Sequence, residues 1–203
     1  MKTQKLMLGF ITIGVALLLS TCFFGSSILF LESDTKGKPN LIFNPGFETN
    51  PLDEKRMPPG WLLMDSKVLI EDHISCDFSK SVLGFQSLKV SGNAQHLMII
   101  SEPFAVDSFG GYFVKSSAHG TTLKGPKLKL KFIGYSEHGK IRSTYTTTLK
   151  TSNDWVKATL SVGFLKPDVR FGRVLLVIPP LEDDSVWIDD IGCFEVHRFK
   201  VDF

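Results

Sequence analysis

The stretch KLKLKFIGY, Lys127–Tyr135, sets a period of two: Leu128, Leu130 and Phe132 fall on one side, Lys127, Lys129, Lys131 and Tyr135 on the other. Successive side chains of an extended chain point to opposite faces, so this is a strand with one dry and one wet side. WVKATLSV repeats the pattern, with Val156, Ala158, Leu160 and Val162 inward and Lys157, Thr159 and Ser161 outward. In IRSTYTTTL the residues Arg142, Thr144, Thr146 and Thr148 make a polar face. Helical periodicity is almost absent after residue 40, and short β-rich runs alternate with turn signals such as SGN, SFGG, SEHG and TSND. Strands are expected near 40–43, 67–74, 86–91, 96–102, 111–118, 127–135, 141–149, 155–162, 169–178 and 186–196. RVLLVIPP is apolar on both sides, which suggests a central or covered strand. The pattern predicts an all-β fold, a two-sheet antiparallel β-sandwich.

Ahead of it lies a run of 26 uncharged residues, Leu6–Leu31, preceded by Lys2 and Lys5. The run has the length of a membrane span and contains a stretch the size of a signal-peptide core. LSTC, Leu19–Cys22, resembles a bacterial lipobox with Cys22 as the lipidated residue, although Thr21 replaces the usual small residue before the cysteine. An uncleaved anchor helix, a lipoprotein and a signal cleaved elsewhere all remain open, and each of the three exports the remainder of the chain. The expected organisation is a signal peptide or anchor over 1–31, a linker over 32–39 and the sandwich over 40–203, facing the extracytoplasmic side or secreted. Cys76 and Cys193 could be bridged there or remain thiols.

Charge is polarised: seven bases and one acid lie between Lys124 and Lys150, and five acids with no base between Glu182 and Asp190. The basic stripe lacks interleaved stacking aromatics and the address is wrong, so nucleic acid is not an expected partner. No GxSxG, HExxH or phosphate loop is present, and no catalytic residues are assigned.

The segments NLIFNPGFE, PPGW, GFQSLKVSG, SEPFAVDSFGGYFVKSSA, TSNDWVKATLSV and VWIDDIGCFEV occur in that order between Asn40 and Val196. Together they resemble the family 4/9 carbohydrate-binding modules, jelly rolls of the galactose-binding-like superfamily. The resemblance implies a jelly roll that binds a poly- or oligosaccharide without catalysis. It also implies a structural Ca²⁺ joining the two ends, held by Glu48 and Asp190 with backbone carbonyls near Asn44, Gly46 and Ser87; Asp189 is expected on the opposite face. In NPGF, Pro45 and Gly46 are expected at the centre of a turn, with Gly46 at positive φ. Alternation selects Phe113, Lys115, Lys129, Lys131, Tyr135, Arg142 and Thr144 as the glycan face, with Phe113 exposed, and Trp61 as an aromatic platform or a packing residue. So few aromatics on that face point to a soluble or acidic glycan, or to no glycan at all. A structural or adhesive protein that binds another protein, and an accessory module of a glycoside hydrolase, are the alternatives.

Overall fold

The structure is a computed structural model that describes residues 28–49, 57–64 and 73–199. Residues 1–27 of the expected 1–31 leader, Cys22 included, and most of the expected 67–74 strand lie outside the described residues. Among the described residues no helix is long and apolar enough to cross a membrane.

The strands are β1 (Trp61–Leu63), β2 (Ile74–Asp77), β3 (Ser87–Ser91), β4 (Leu97–Ser101), β5 (Phe104–Ala105), β6 (Gly110–Gly120), β7 (Lys127–Ser136), β8 (Ile141–Lys150), β9 (Val156–Val162), β10 (Val169–Ile178) and β11 (Ser185–Arg198). They form two sheets. One, here sheet A, runs β1-β4-β10-β7-β8 with β5 on the edge of β10; the other, sheet B, runs β2-β3-β11-β6-β9. Every pairing is antiparallel. The core lies between the sheets. Leu128, Leu130 and Phe132 of β7 meet Tyr112, Val114 and Ala118 of β6, together with Val186, Ile188 and Cys193 of β11, all buried. The doubly apolar β10 is central, between β4 and β7, with Val174, Leu176 and Ile178 inward.

Residues 40–43 do not form a strand. Asn40 does the pairing instead: its amide donates to the Ile191 carbonyl at 3.0 Å and its carbonyl accepts from Cys193 N–H at 3.0 Å. Leu41 N–H then donates to the Cys193 carbonyl at 2.8 Å. The first segment is thereby tied to the closing strand by a side chain imitating backbone.

The expected linker is not a free spacer. Residues 28–35 lie as a strap on the outer face of sheet B. Phe30 N–H donates to Ser161 Oγ at 2.9 Å, and a 3₁₀ turn at Glu32–Thr35 comes next. Glu32 pairs with Lys157 at 2.7 Å. Glycine makes the approach possible, since a side chain at Gly111 would run into the Phe30 ring.

Cys76 and Cys193 are both buried. They sit on β2 and β11, with β3 between them. Two strand spacings of about 4.8 Å exceed the Cα reach of a disulfide. The Cys76 thiol points at the Phe47 carbonyl at 4.0 Å, and burial pushes the Cys193 thiol pKa far up.

Candidate functional site

The expected site residues fall in two regions, the junction of the opening segment with β11 and the outer face of sheet A.

At the junction, NPGF forms a turn with Phe47 N–H on the Asn44 carbonyl at 3.3 Å. The positive φ values fall on Asn44 (55°) and Phe47 (57°), not on Gly46, which corrects the expected turn type. Asparagine tolerates this backbone, and its side chain locks it by accepting from Glu48 N–H at 2.7 Å. Gly46 is required by close approach. A methyl group there would lie 3.1 Å from the Leu83 carbonyl oxygen, 3.4 Å from Glu48 Oε1 and 3.6 Å from Asp189 Oδ1. Three oxygens from three distant segments therefore converge on one glycine.

The closing acid that faces Glu48 is Asp189, whereas the expectation named Asp190. A β-bulge between Asp189 and Gly192 is the cause: Asp190 takes φ 51°, and both acids end on the outer side of β11. Asp190 turns to Lys115, with Oδ2 at 2.7 Å from Nζ. Asp189 is fully buried. Its Oδ2 accepts from Val82 N–H at 2.5 Å and Leu83 N–H at 2.9 Å, and its Oδ1 accepts from Asp190 N–H at 2.6 Å. Burial still holds this carboxyl above the usual aspartate range, against the pull of those three donors. Glu48 Oε1 accepts from Phe85 N–H at 2.9 Å. Gly84, at φ +75°, has no room for a side chain beneath that carboxyl.

Asn44 and Ser87, the other expected oxygen donors, divide. The Asn44 carbonyl accepts from Trp61 Nε1–H at 2.9 Å, so it builds the turn. Ser87 continues the β3–β11 register beside Asp189, and its Oγ, like the neighbouring Gln86 Oε1, is buried without a hydrogen-bond partner. The two carboxylates and the Leu83 carbonyl at Gly46 are hard oxygens of the kind Ca²⁺ takes. Among the described residues no group of three or more His, Cys, Asp or Glu side chains gathers as a metal site, and the acid beside Glu48 at Gly46 is Asp189, not Asp190.

On the outer face of sheet A, pairing arranges the predicted residues in rows. Ile133, Lys131 and Lys129 of β7 stand opposite Thr144, Thr146 and Thr148 of β8. On the other flank, Phe171, Arg173, Leu175 and Val177 of β10 stand opposite Tyr135, Ile133, Lys131 and Lys129. Directly opposed side chains share a face about 5 Å apart. The face is divided: hydroxyls and lysines cover β7 and β8, while Ile100, Ile133 and Leu175 form a separate apolar cluster flanked by Tyr135 and Val177.

At its end the face closes into two adjoining clefts. One, of about 330 Å³, is lined by Pro103, Tyr135, Glu137, Phe171 and Arg173. The other, of about 340 Å³, is lined by Glu137, His138, Lys140, Arg142, Asp168 and Arg170. Arg173 Nε donates to the Ser101 carbonyl at 2.7 Å, which fixes its guanidinium. Arg142 pairs with Asp168 at 2.6 Å and holds that carboxyl below its usual range by hydrogen bonding.

Of the predicted glycan residues, Lys129, Lys131, Tyr135, Arg142 and Thr144 share this region. Three do not. Phe113, expected exposed, is 2% accessible; it pairs with Ser161, the residue that holds the strap. Lys115 is spent on Asp190. Trp61 is 2% accessible and packs on Phe47 with ring centroids 4.7 Å apart. Phe171, Arg173 and Pro103 were missed, because which strand lies beside β7 cannot be read from alternation alone.

No family model matches the chain, and no curated protein matches it in sequence. Solved structures do match. A family 61 carbohydrate-binding module in complex with β-1,4-galactotriose superposes with TM-score 0.55 at 18% identity, over 77% of this chain and 99% of that one. A second module, of family 16, gives TM-score 0.54 at 18% identity over 77% and 100%. A CBM22 xylan-binding domain from Paenibacillus barcinonensis gives 0.51 at 13% identity over 76% and 93%. The chain shares the β-sandwich fold of these modules. At these identities the likeness concerns the β-sandwich, not the ligand, and the specific 4/9 family is not among these neighbours.

Proposed function

We propose that the protein is a non-catalytic glycan-binding module, exported and held at the outer face of the membrane. The observation that carries this is the Tyr135–Phe171 pair beside the fixed guanidinium of Arg173, in a cleft on a fold shared with carbohydrate-binding modules. An aromatic ring covers the C–H face of a pyranose, and an arginine fork takes vicinal hydroxyls or a carboxylate. Lys140, Arg142 and Arg170 in the adjoining cleft outnumber Glu137 and Asp168, which favours an acidic or strongly hydroxylated chain. Asp168, kept charged by Arg142, is unsuited to be a general acid.

Calcium belongs to the same proposal as a structural ion. Glu48 Oε1, Asp189 Oδ1 and the Leu83 carbonyl, which converge on Gly46, would hold it. When bound it would neutralise a buried carboxylate and tie the two chain ends to the 82–85 loop.

The second proposal, a surface that binds another protein, is favoured by the exposed Leu62 and Met98 beside Ile100 on the same face. A panel of neutral and uronic-acid oligosaccharides separates the two. Binding that is lost in Tyr135→Ala supports the glycan module; no binding to any member, with fold intact, supports the protein surface.

A further inference from the structure

The strap changes where an anchor would meet the domain. The uncharged run was expected to end at Leu31, with a linker after it. Instead Ile28 already lies on the sandwich, in contact range of Gly163, and Phe30 is bonded to Ser161. No spacer is left. Leu6–Ser27 is 22 uncharged residues. A helix of that length measures about 33 Å, against about 30 Å of bilayer hydrocarbon. Were Cys22 lipidated instead, the chain from it to Ile28 could reach at most about 20 Å.

The chain enters at one end of the sandwich, where β6 begins and β9 and β11 finish. That end is aromatic. Phe164 is 57% accessible and stacks on Phe199 with centroids 3.9 Å apart; Phe199 meets the His197 ring at 4.6 Å, and His197 stacks on Phe30. Phe199 N–H is bonded to the Phe109 carbonyl at 2.8 Å, which brings a fourth phenylalanine, partly exposed, to the same place. Leu29 beside them is 78% accessible. Arg198 is neutralised by Glu195 and Asp107, and Lys166 is exposed at the rim.

We infer that this end, Leu29, Phe109, Phe164 and Phe199, is a lipid-docking surface that seats the domain directly on the bilayer. The inference rests on the proposed membrane attachment. Exposed aromatics and leucine next to the point where an apolar run joins the domain fit the headgroup–acyl boundary, where such side chains settle about 5–10 Å deep. The Tyr135–Phe171 cleft is close to the same end on the other sheet, because Phe171 pairs with Ala105 two residues before Asp107. The domain would therefore hold its glycan near the lipid surface rather than at the end of a tether.

The test uses the full chain in vesicles of phosphatidylcholine and phosphatidylglycerol carrying brominated acyl chains. Tryptophan is introduced as Phe164→Trp, as Phe109→Trp should the first not fold, and as Leu123→Trp at the opposite end, where Leu123 is also 78% accessible. The emission added by Phe164→Trp should fall by about half in brominated vesicles, as expected for a ring at the acyl boundary, and that added by Leu123→Trp should not. Flotation with the vesicles is scored first. A chain that does not float overturns the membrane attachment and the docking with it. A chain that floats with both reporters equally quenched, or neither, overturns docking alone. Cross-linking of two copies through Phe164, with no quenching, shows that a second chain covers this end and also overturns it. Glycan binding is scored separately and bears on none of these outcomes.

Discussion

Glu48 and Asp189 hold the same loop from opposite ends of the chain: Phe85 N–H rests on Glu48 Oε1 and Leu83 N–H on Asp189 Oδ2, both at 2.9 Å. The two segments are thus joined through the 82–85 backbone, and both carboxyls converge on Gly46, where the proposed ion would sit.

The two neighbouring acids should behave differently. Asp189→Ala removes the acceptor of three backbone N–H groups in a buried place, and a loss of about 3 kcal/mol is expected. Asp190→Ala leaves Lys115 with only the longer contact to Glu32, at 3.9 Å, in a partly open site, and a loss of about 1 kcal/mol is expected. Urea unfolding of the two variants measures this; equal losses contradict the assignment of Asp189 to the joint.

Calcium and pH should act on Asp189 in opposite senses. Its folded carboxyl titrates above the ordinary value of 3.8 because burial disfavours its charge. The folded state therefore binds this proton more tightly than the unfolded chain. That contribution is fully present below the unfolded value and is lost as pH rises through the raised folded value. With chelator, the stability advantage of wild type over Asp189→Asn should shrink as pH rises through that window. With calcium at neutral pH the advantage should return, because the ion stabilises the charged carboxylate. Melting curves at several pH values, with and without chelator, read both effects. A Tm indifferent to calcium in wild type removes the ion.

Gly46→Ala should dissect the joint further. The added methyl meets three oxygens at 3.1–3.6 Å, space that an ion's ligands need. The fold should survive, and the calcium-dependent rise in Tm should be lost.

Trp61 and Phe113 should matter for stability and not for ligand binding. Trp61→Ala empties a site packed against Phe47 and breaks the bond to the Asn44 carbonyl, with an expected loss of about 3–5 kcal/mol. A milder pair, Trp61→Phe and Phe113→Leu, keeps the domain folded for glycan titration, and affinity should stay at the wild-type value.

Period two in KLKLKFIGY and WVKATLSV was enough to place Leu128, Leu130, Phe132, Ala158 and Val162 in the core, where they are. It failed where a local event changes the count or adds a cover. The bulge after Asp189 leaves two consecutive acids on the outer side of β11, so Asp189 does not take the opposite face that alternation expects. Phe113 is on the predicted face, but the strap, tied to Ser161 by a contact 131 residues apart in sequence, covers it. Lateral order is also silent in alternation: nothing in FGRV says that Phe171 will stand beside Tyr135. The partners of Glu48 were legible only as a pairing of chain ends, because the loop that completes it, Val82–Phe85, has no pattern of its own.

The most direct test of the glycan assignment is isothermal titration of the folded protein with the best oligosaccharide from the neutral and uronic-acid panel, in wild type and in Tyr135→Ala, Phe171→Ala and Arg173→Ala. Each substitution should weaken binding at least about tenfold, equivalent to about 1.4 kcal/mol, with the melting temperature little changed, and Lys115→Ala should leave affinity unaltered. Full affinity in all three cleft variants, or loss only in Lys115→Ala, would contradict it.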